Sequence, residues 1–235
     1  MFDGKFKAIT FSFDDGVTQD IRFIDILNKY NLKCTFNINS ELLGKEGRLT
    51  GDYGSVNHTK VNKCDVKSIY QGHEIAVHTL THPRLTVLDD SEIIRQVEQD
   101  RLNLSDIAGY EVIGMAYPCG GVNNNEHVAD IIKNNTGVKY SRTITSVNNF
   151  DLQDNLYRFN PSVYHIDIDK MFELANEFIS LKADTPKIFY IWGHSYELDI
   201  YNSWDRFEEF CQLISNKSDI FYGTNKEILL KNTCD

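Results

Sequence analysis

The residues best suited to chemistry in this 235-residue chain are two adjacent carboxylates, Asp14 and Asp15, and two histidines, His78 and His82. Adjacent carboxylates repel each other, and a bound cation relieves that repulsion while one carboxylate stays free as a base. Two imidazoles at a spacing of four suit a metal ion. Asp15, His78 and His82 are therefore predicted to bind a divalent metal, most readily Zn²⁺, with Co²⁺, Ni²⁺ or Fe²⁺ as alternatives. A metal-bound water loses its proton near neutral pH and attacks a carbonyl carbon, so this set predicts a hydrolase.

Each of these motifs also has a purely structural interpretation. Asp14-Asp15-Gly16 suits a tight turn, and two histidines can fall by chance in a surface loop. Successive residues of a regular strand face opposite sides. Both carboxylates can therefore reach one site only if the chain turns at Asp15-Gly16, which Gly16 permits. Pro83 limits any helix after His78, so the histidine pair is predicted to lie in a loop.

A third histidine, His194, follows the most apolar segment of the chain, residues 187–192. An unperturbed pKa near 6.5 suits a general acid that protonates a leaving amine, whereas the structural interpretation is a buried, hydrogen-bonded histidine. A fourth polar cluster, Tyr117-Pro118-Cys119-Gly120, also comes directly after an apolar segment.

Strands and helices are predicted to alternate along the whole chain. We expect strands at 8–13, 33–38, 73–78, 112–117, 138–144, 187–192 and 220–222, and an extended segment at 157–166. We expect helices at 21–30, 65–71, 90–108, 126–134, 168–181 and 204–214, and a last helix opened by Thr224 and Glu227. About seven such strands predict an α/β fold with a mostly parallel sheet, either a β/α barrel or a doubly wound sheet.

The four polar clusters all follow predicted strands, and this placement brings them together. The carboxyl ends of parallel strands form one rim, so the clusters should converge on a single mouth. The polar stretch 39–64, with four glycines, is predicted to be a loop insertion in a single domain spanning residues 1–235.

Composition excludes several classes of partner. The net charge of −10 argues against binding to nucleic acid or to an anionic membrane surface. The chain has no run of 18 apolar residues to cross a membrane and no signal peptide at its start, and its five cysteines lack CxxC spacing. We therefore expect free thiols and a cytoplasmic protein, although a trimmed secreted protein would look the same. The oligomeric state stays open.

In this order, the motifs resemble the polysaccharide deacetylases of carbohydrate esterase family four, named for a nodulation-factor chitooligosaccharide deacetylase. The resemblance rests on Thr10-Phe11-Ser12-Phe13-Asp14-Asp15-Gly16, on the segment Gly72 to Pro83, on Tyr117-Pro118-x-Gly120 and on the segment ending in His194. It implies a distorted (β/α) barrel and hydrolysis of an N- or O-acetyl group on a carbohydrate.

The resemblance also implies roles for individual residues. Asp14 would be the general base, His194 the general acid, and Asp15, His78 and His82 the metal ligands. The backbone N–H of Cys119 would stabilise the oxyanion.

The third of these motifs, Tyr117-Pro118-x-Gly120, lacks two features that are usual in the family. An arginine two residues before the proline is replaced by Ala116, and an aromatic residue after it by Cys119. Because that arginine orients the base, we predict that Arg142, after another strand, replaces it. The fourth motif, an Asp-Trp pair that supports the acid, is also unclear. Asp151 and Asp154 are the available carboxylates, although solvated loop positions suit both better.

The predicted substrate-binding residues are Tyr117, Pro118, Cys119, Gly120, Trp192 and Tyr196. Trp192 and Tyr196 can stack on a sugar face, and Trp192 suits the core equally well. Two other functions stay open, a hydrolase of a small cyclic imide, amide or formamide on the same fold, and a non-catalytic carbohydrate-binding module. The remaining histidines, His58, His73, His127 and His165, are predicted to be structural.

Overall fold

A computed structural model describes residues 1–230 of the protein, and within them it contains ten β-strands. The strands are β1 (Lys7–Asp14), β2 (Cys34–Ile38), β3 (Arg48–Gly51), β4 (Gly54–Asn57), β5 (Glu74–Val77), β6 (Gly114–Ala116), β7 (Tyr140–Arg142), β8 (Val163–Tyr164), β9 (Lys187–Gly193) and β10 (Ile220–Tyr222).

The described α-helices are α1 (Asp20–Lys29), α2 (Val66–Ile69), α3 (Asp90–Ile94), α4 (Asp100–Ala108), α5 (Glu126–Asn135), α6 (Ile168–Ser180), α7 (Glu197–Ile200), α8 (Trp204–Ile214) and α9 (Asn225–Leu229). A π-helical segment, Arg95–Gln99, joins α3 to α4.

One parallel sheet organises the chain, in the order β7-β6-β5-β2-β1-β9-β8, and β10 pairs with the first half of β1. A single parallel bridge between Arg142 and Phe159 links β7 to the segment that precedes β8. The sheet therefore curls back on itself as a distorted (β/α) barrel in a single domain, which confirms the predicted fold class.

The alternation of side chains along β1 explains how the barrel is filled. Phe11 and Phe13 point toward the helices, where Phe13 meets Phe23 of α1 at 4.1 Å between ring centroids and Phe11 meets Phe207 of α8 at 6.1 Å. The intervening positions carry smaller or polar side chains that face the barrel interior, where Ser12 receives a hydrogen bond from the amide of Asn37.

Helix α9 covers the amino ends of the central strands. The capping box of Thr224 and Glu227 begins it, as predicted. Its Ile228 and Leu229 pack in one apolar cluster with Ala8 and other barrel residues. With that end filled, the carboxyl ends of the strands are left to form the site.

Three local predictions were wrong. The insertion at 39–64 contains the antiparallel hairpin β3–β4, because the tight turn between Gly51 and Gly54 lets two short strands pair. The segment 157–166, predicted to be extended, begins with the 3₁₀ turn Leu156–Arg158. The predicted helix 90–108 is capped by Asp89, but the π-helical segment interrupts its regular winding.

The four described cysteines, Cys34, Cys64, Cys119 and Cys211, are free, and Cys234 lies outside the described residues. No described helix is long and apolar enough to cross a membrane.

Candidate active site

Asp14 ends β1 with its side chain buried under the barrel mouth. Arg142, at the end of β7, reaches across the interior and places Nη2 against both carboxylate oxygens, at 2.6 Å from Oδ1. Asn37 donates its side-chain amide to the same Oδ1 at 2.8 Å. These contacts fix the carboxylate plane. Asp14 Oδ2 then lies 4.0 Å from Nε2 of His78 and 4.0 Å from Nε2 of His194.

Arg142 comes from the strand next to the third motif. In the parallel pairing of β6 with β7, Ala116 and Arg142 are register partners. The guanidinium that the third motif lacks at Ala116 therefore enters the barrel from the same level of the neighbouring strand. It is fully buried, and it lies 4.7 Å from the ring centroid of Trp192.

Asp15 turns toward the same mouth because the backbone changes direction there. Its φ of +85° lies in the left-handed region, and Gly16 follows at +62°. A Cβ at position 16 would meet Ile38 Cγ2 at 2.7 Å, so only glycine fits this turn. The turn brings Oδ1 of Asp15 to 3.8 Å from Nε2 of His82.

Asp15, His78 and His82 fit a divalent metal. Each offers one ligand atom, and the three atoms lie within 4.8 Å of one another. His78 donates Nδ1–H to the Ala116 carbonyl at 2.9 Å, which leaves the lone pair of Nε2 for a cation. Burial lowers the pKa of His78 to about 4 and also lowers that of His82, so both imidazoles are neutral near pH 7. Neutral imidazoles and a carboxylate suit Zn²⁺.

Buried partners shape the loop that carries the two histidines. Asp100 of α4 accepts a hydrogen bond from the backbone N–H of His78 at 3.2 Å. Gln96, in the π-helical segment, accepts from Leu80 N–H through its carbonyl at 3.0 Å and donates its amide to Thr81 at 3.0 Å. The irregular winding of this helix thus presents Gln96 to the loop.

Backbone strain is concentrated at this mouth. Besides Asp15, the non-glycine residues Thr79, His82 and Cys119 have φ of +69°, +62° and +67°. Left-handed conformations are costly for residues with a Cβ, above all for β-branched threonine. Asp15, His82 and Cys119 line the candidate site, and Thr79 lies in the loop between the two histidines, so the surrounding contacts hold these loops in place.

The insertion at 39–64 contributes two residues that the sequence did not single out for chemistry. His58, predicted to be structural, donates Nε2–H to Asp15 Oδ2 at 3.3 Å. Lys60 places Nζ 3.2 Å from Asp15 Oδ1 and 2.8 Å from its carbonyl oxygen. Burial opposes ionisation of Asp15, but the hydrogen bond from His58 and the charge of Lys60 outweigh it. Together they hold the pKa of Asp15 well below its usual range.

His194 faces Asp14 from the opposite wall and is held by Glu197, another residue that the sequence did not single out. Glu197 Oε2 lies 3.0 Å from His194 Nδ1, 2.8 Å from His165 Nε2 and 3.2 Å from the backbone N of His194. Tyr164 donates its hydroxyl to the other oxygen, Oε1. Burial lowers the pKa of His194, but the charge and hydrogen bond of Glu197 outweigh it and raise this pKa to about 9.

The carboxylates considered for the fourth motif lie elsewhere. Asp151 is exposed and pairs with Lys187 at 2.6 Å, at the opposite end of β9 from His194. Asp154 is exposed and lines a separate surface cavity between α5 and the 3₁₀ turn Leu156–Arg158.

A cavity of about 480 Å³ contains the candidate catalytic residues. Of the predicted substrate-binding residues, Tyr117, Cys119, Gly120, Trp192 and Tyr196 line this cavity, whereas Pro118 is buried and does not. Trp192 stacks on Tyr164 at 4.1 Å and is only 6% exposed, so most of its ring belongs to the core. A second cavity of about 410 Å³ adjoins the first across Asp15, His82 and Tyr196, and the insertion forms its other wall.

Known proteins resemble the chain in both sequence and structure. The family model described as "Polysaccharide deacetylase" matches residues 3–140. Peptidoglycan-N-acetylglucosamine deacetylase PgdA of Listeria monocytogenes is 26% identical over 120 residues, which are 50% of this chain and 22% of the relative. A bifunctional xylanase/deacetylase of Pseudobutyrivibrio xylanivorans is 30% identical over 119 residues, 50% of this chain and 17% of the relative. The matched segment thus spans about a fifth of the length of these curated relatives.

Solved structures share the fold over nearly the whole chain. The Xyl-CE4 domain of a multidomain xylanase from the hindgut metagenome of Trinervitermes trinervoides has a TM-score of 0.62 at 18% identity, covering 97% of this chain and 92% of that one. A peptidoglycan N-acetylglucosamine deacetylase has a TM-score of 0.58 at 20% identity, with 96% and 88% covered. A pseudoenzyme from Bacillus anthracis has a TM-score of 0.57 at 17% identity, with 94% and 65% covered. At these identities the likeness shows the fold.

Proposed function

The chain belongs to the polysaccharide deacetylase family, and on that premise we propose that it is a metal-dependent hydrolase removing acetyl groups from an N- or O-acetylated carbohydrate. One observation carries the proposal. Oδ2 of the Asp14 carboxylate lies 4.0 Å from a candidate metal ligand, His78, and 4.0 Å from a candidate acid, His194. A base, an acid and a cation site thus meet at one point of the cavity, as hydrolysis of an acetyl group requires.

Asp15, His78 and His82 would hold the cation, with Zn²⁺ as the best match and Co²⁺, Ni²⁺ or Fe²⁺ as alternatives. When bound, such a cation supplies Lewis acidity, which polarises the acetyl carbonyl and eases the deprotonation of water.

Asp14 accepts the proton of the attacking water at Oδ2. Arg142 contacts both carboxylate oxygens and Asn37 donates to Oδ1, so the carboxylate cannot rotate away from the cavity. The buried guanidinium also supplies the countercharge of this buried carboxylate.

His194 donates the Nε2 proton to the leaving nitrogen or oxygen of the sugar. Its Nδ1–H is directed at Glu197, so the donor nitrogen is the one that faces Asp14 across the cavity. The backbone N–H of Cys119, which also lines the cavity, would donate to the oxyanion.

The shape of the site and the names of its relatives support an acetylated saccharide as the substrate. The two adjoining cavities together offer an open cleft rather than a closed pocket for a small amide. The names of the relatives specify peptidoglycan N-acetylglucosamine deacetylation and a xylanase joined to a deacetylase. Tyr196, which lines both cavities, can stack on a sugar ring.

Metal analysis combined with acetate release tests the proposal. We expect the purified protein to contain one divalent ion per chain, and we expect acetate from N-acetylglucosamine oligomers or acetylated xylan after Zn²⁺ or Co²⁺ is added. Absence of bound metal together with no thermal shift on adding either ion would overturn the metal-dependent mechanism. Metal binding without turnover of these polymers or of small amides would instead favour a non-catalytic carbohydrate-binding module.

A further inference from the structure

We propose that Lys60 lowers the metal affinity of the site, because its ammonium group pairs with the Asp15 carboxylate that a bound cation must share. The inference rests on the proposed function, since it takes Asp15, His78 and His82 as the metal ligands. Lys60 Nζ lies 3.2 Å from Oδ1 of Asp15, the same oxygen that lies 3.8 Å from Nε2 of His82. The ammonium group therefore stands beside the ligand atom that faces the histidines.

Lys60 cannot easily move away from this carboxylate. Its Nζ also donates to the Asp15 carbonyl at 2.8 Å, and only 6% of the residue is exposed. The backbone on either side is fixed as well. Lys60 N–H donates to the Lys45 carbonyl at 2.9 Å, and Val61 N–H donates to the Gly16 carbonyl at 2.9 Å. These bonds anchor the insertion to the turn that carries Asp15.

The charge of Lys60 has opposite effects on the two states of the site. Without a metal, it compensates a buried carboxylate whose burial would otherwise be costly. With a metal, two cations share one carboxylate in a poorly screened site and repel each other. Lys60 thus stabilises the metal-free protein and weakens metal binding.

A matched pair of lysine substitutions tests this inference in the chelator-stripped protein. Lys60→Met removes the charge and keeps a long side chain, with Lys60→Gln as a second variant that retains a donor for the Asp15 carbonyl. Lys7→Met is the control. Lys7 is also a buried lysine of the β1 region, bonded to the carbonyls of Phe178 and Ile179, but it begins β1, roughly 23 Å from Asp14 along the strand.

We measure the dissociation constant for Zn²⁺ by chelator competition and the melting temperature with and without Zn²⁺. Lys60→Met or Lys60→Gln should bind Zn²⁺ about tenfold more tightly or better, from a lower metal-free melting temperature and with a larger gain on adding Zn²⁺. Lys7→Met should lower the melting temperature alone and keep the wild-type affinity.

The contrary results separate this inference from the proposed function. Unchanged or weaker Zn²⁺ binding by both Lys60 variants, while wild type binds Zn²⁺, would mean that Lys60 only orients Asp15, and the inference fails alone. If neither wild type nor any Lys60 variant binds Zn²⁺ or Co²⁺, the metal site itself is wrong and the inference falls with it.

Discussion

Arg142 and Asp14 are separated by 128 positions in the chain, yet the Arg142 guanidinium contacts both oxygens of the Asp14 carboxylate inside the barrel. Neither side chain is appreciably exposed. A buried ion pair of this kind is expensive to break, because removing one partner leaves the other charged, buried and unpaired. The pair therefore links the stability of the barrel to the orientation of the candidate base.

Arg142→Ala should lower the free energy of unfolding by about 3–5 kcal/mol and reduce kcat/KM at least tenfold, since Asp14 loses both its countercharge and its orientation. Urea denaturation and acetate-release kinetics measure the two effects. Arg142→Lys should be intermediate, because it keeps the charge without the planar fork. Adding Ala116→Arg to Arg142→Ala should restore part of the activity, since the two positions are register partners. A kcat/KM for Arg142→Ala within threefold of wild type would show that Arg142 does not orient the base.

Substitutions of the two adjacent carboxylates, Asp14 and Asp15, should differ in their effect on metal binding. Asp14→Asn is expected to reduce turnover about a thousandfold while metal content stays stoichiometric, because we propose Asp14 as the base and not as a metal ligand. Asp15→Asn should lose both metal and turnover. Elemental analysis of the dialysed proteins distinguishes the two substitutions. Equal metal loss in both variants would contradict the proposed division of roles.

Glu197→Gln should move the alkaline limit of activity to lower pH. The carboxylate of Glu197 offsets the effect of burial and raises the pKa of His194 to about 9. An acid donates only while it is protonated, so activity is lost as the pH rises through this pKa. Without the negative charge the pKa falls, and the alkaline limb of the kcat/KM profile should shift down by about one pH unit or more.

Asp151→Asn is the matched control for that shift, since Asp151 is the carboxylate that the sequence offered for the same role. It pairs with Lys187 on the surface. Its pH profile should overlay that of wild type. If instead Glu197→Gln overlays wild type, Glu197 does not tune His194.

Asp20 should make the protein less stable at alkaline pH. Burial raises the pKa of Asp20 from 3.8 to about 7, although Ser195 and Tyr70 both donate hydrogen bonds to it. The folded state therefore holds a proton that the unfolded chain releases near pH 4. The stabilisation is complete below that pH and is lost as the pH rises through 7.

Asp20→Asn removes this titration. Between pH 5 and 8 the free energy of unfolding of wild type should therefore fall by on the order of 2–3 kcal/mol relative to that of Asp20→Asn. Chemical denaturation across this range measures the difference. Asp25→Asn, on the exposed face of the same helix, should run parallel to wild type. A constant difference between Asp20→Asn and wild type across the range would count against the buried titration.

The sequence predicted those parts of the site that adjoin regular strands. Asp14, Asp15, His78 and His82 stand at strand ends, and parallel strands bring such ends together whatever the loops do. Arg142 could be predicted by the same reasoning, because it ends the strand beside the third motif. The last helix was predictable from local chemistry alone, since Thr224 and Glu227 form its capping box.

The site residues that the sequence did not predict depend on contacts that have no periodic pattern in the sequence. His58 and Lys60 lie in a polar insertion, and they reach Asp15 only because the hairpin pairs and then bonds back to the Gly16 turn. Glu197 stood three residues after His194, a spacing that one helical turn converts into a contact. That signal is present in the sequence, whereas Asp151 and Asp154, the carboxylates considered for this role, lie in another loop.

The left-handed residues near the cavity also bear on thermal stability. Glycine would adopt the backbone of Thr79 or Cys119 without strain. At Thr79 it would remove the hydroxyl that accepts the His82 N–H at 3.1 Å, and at Cys119 the thiol packed on that residue. Any stability gained from glycine at either position would therefore be accompanied by the loss of contacts that hold the His82 loop in place.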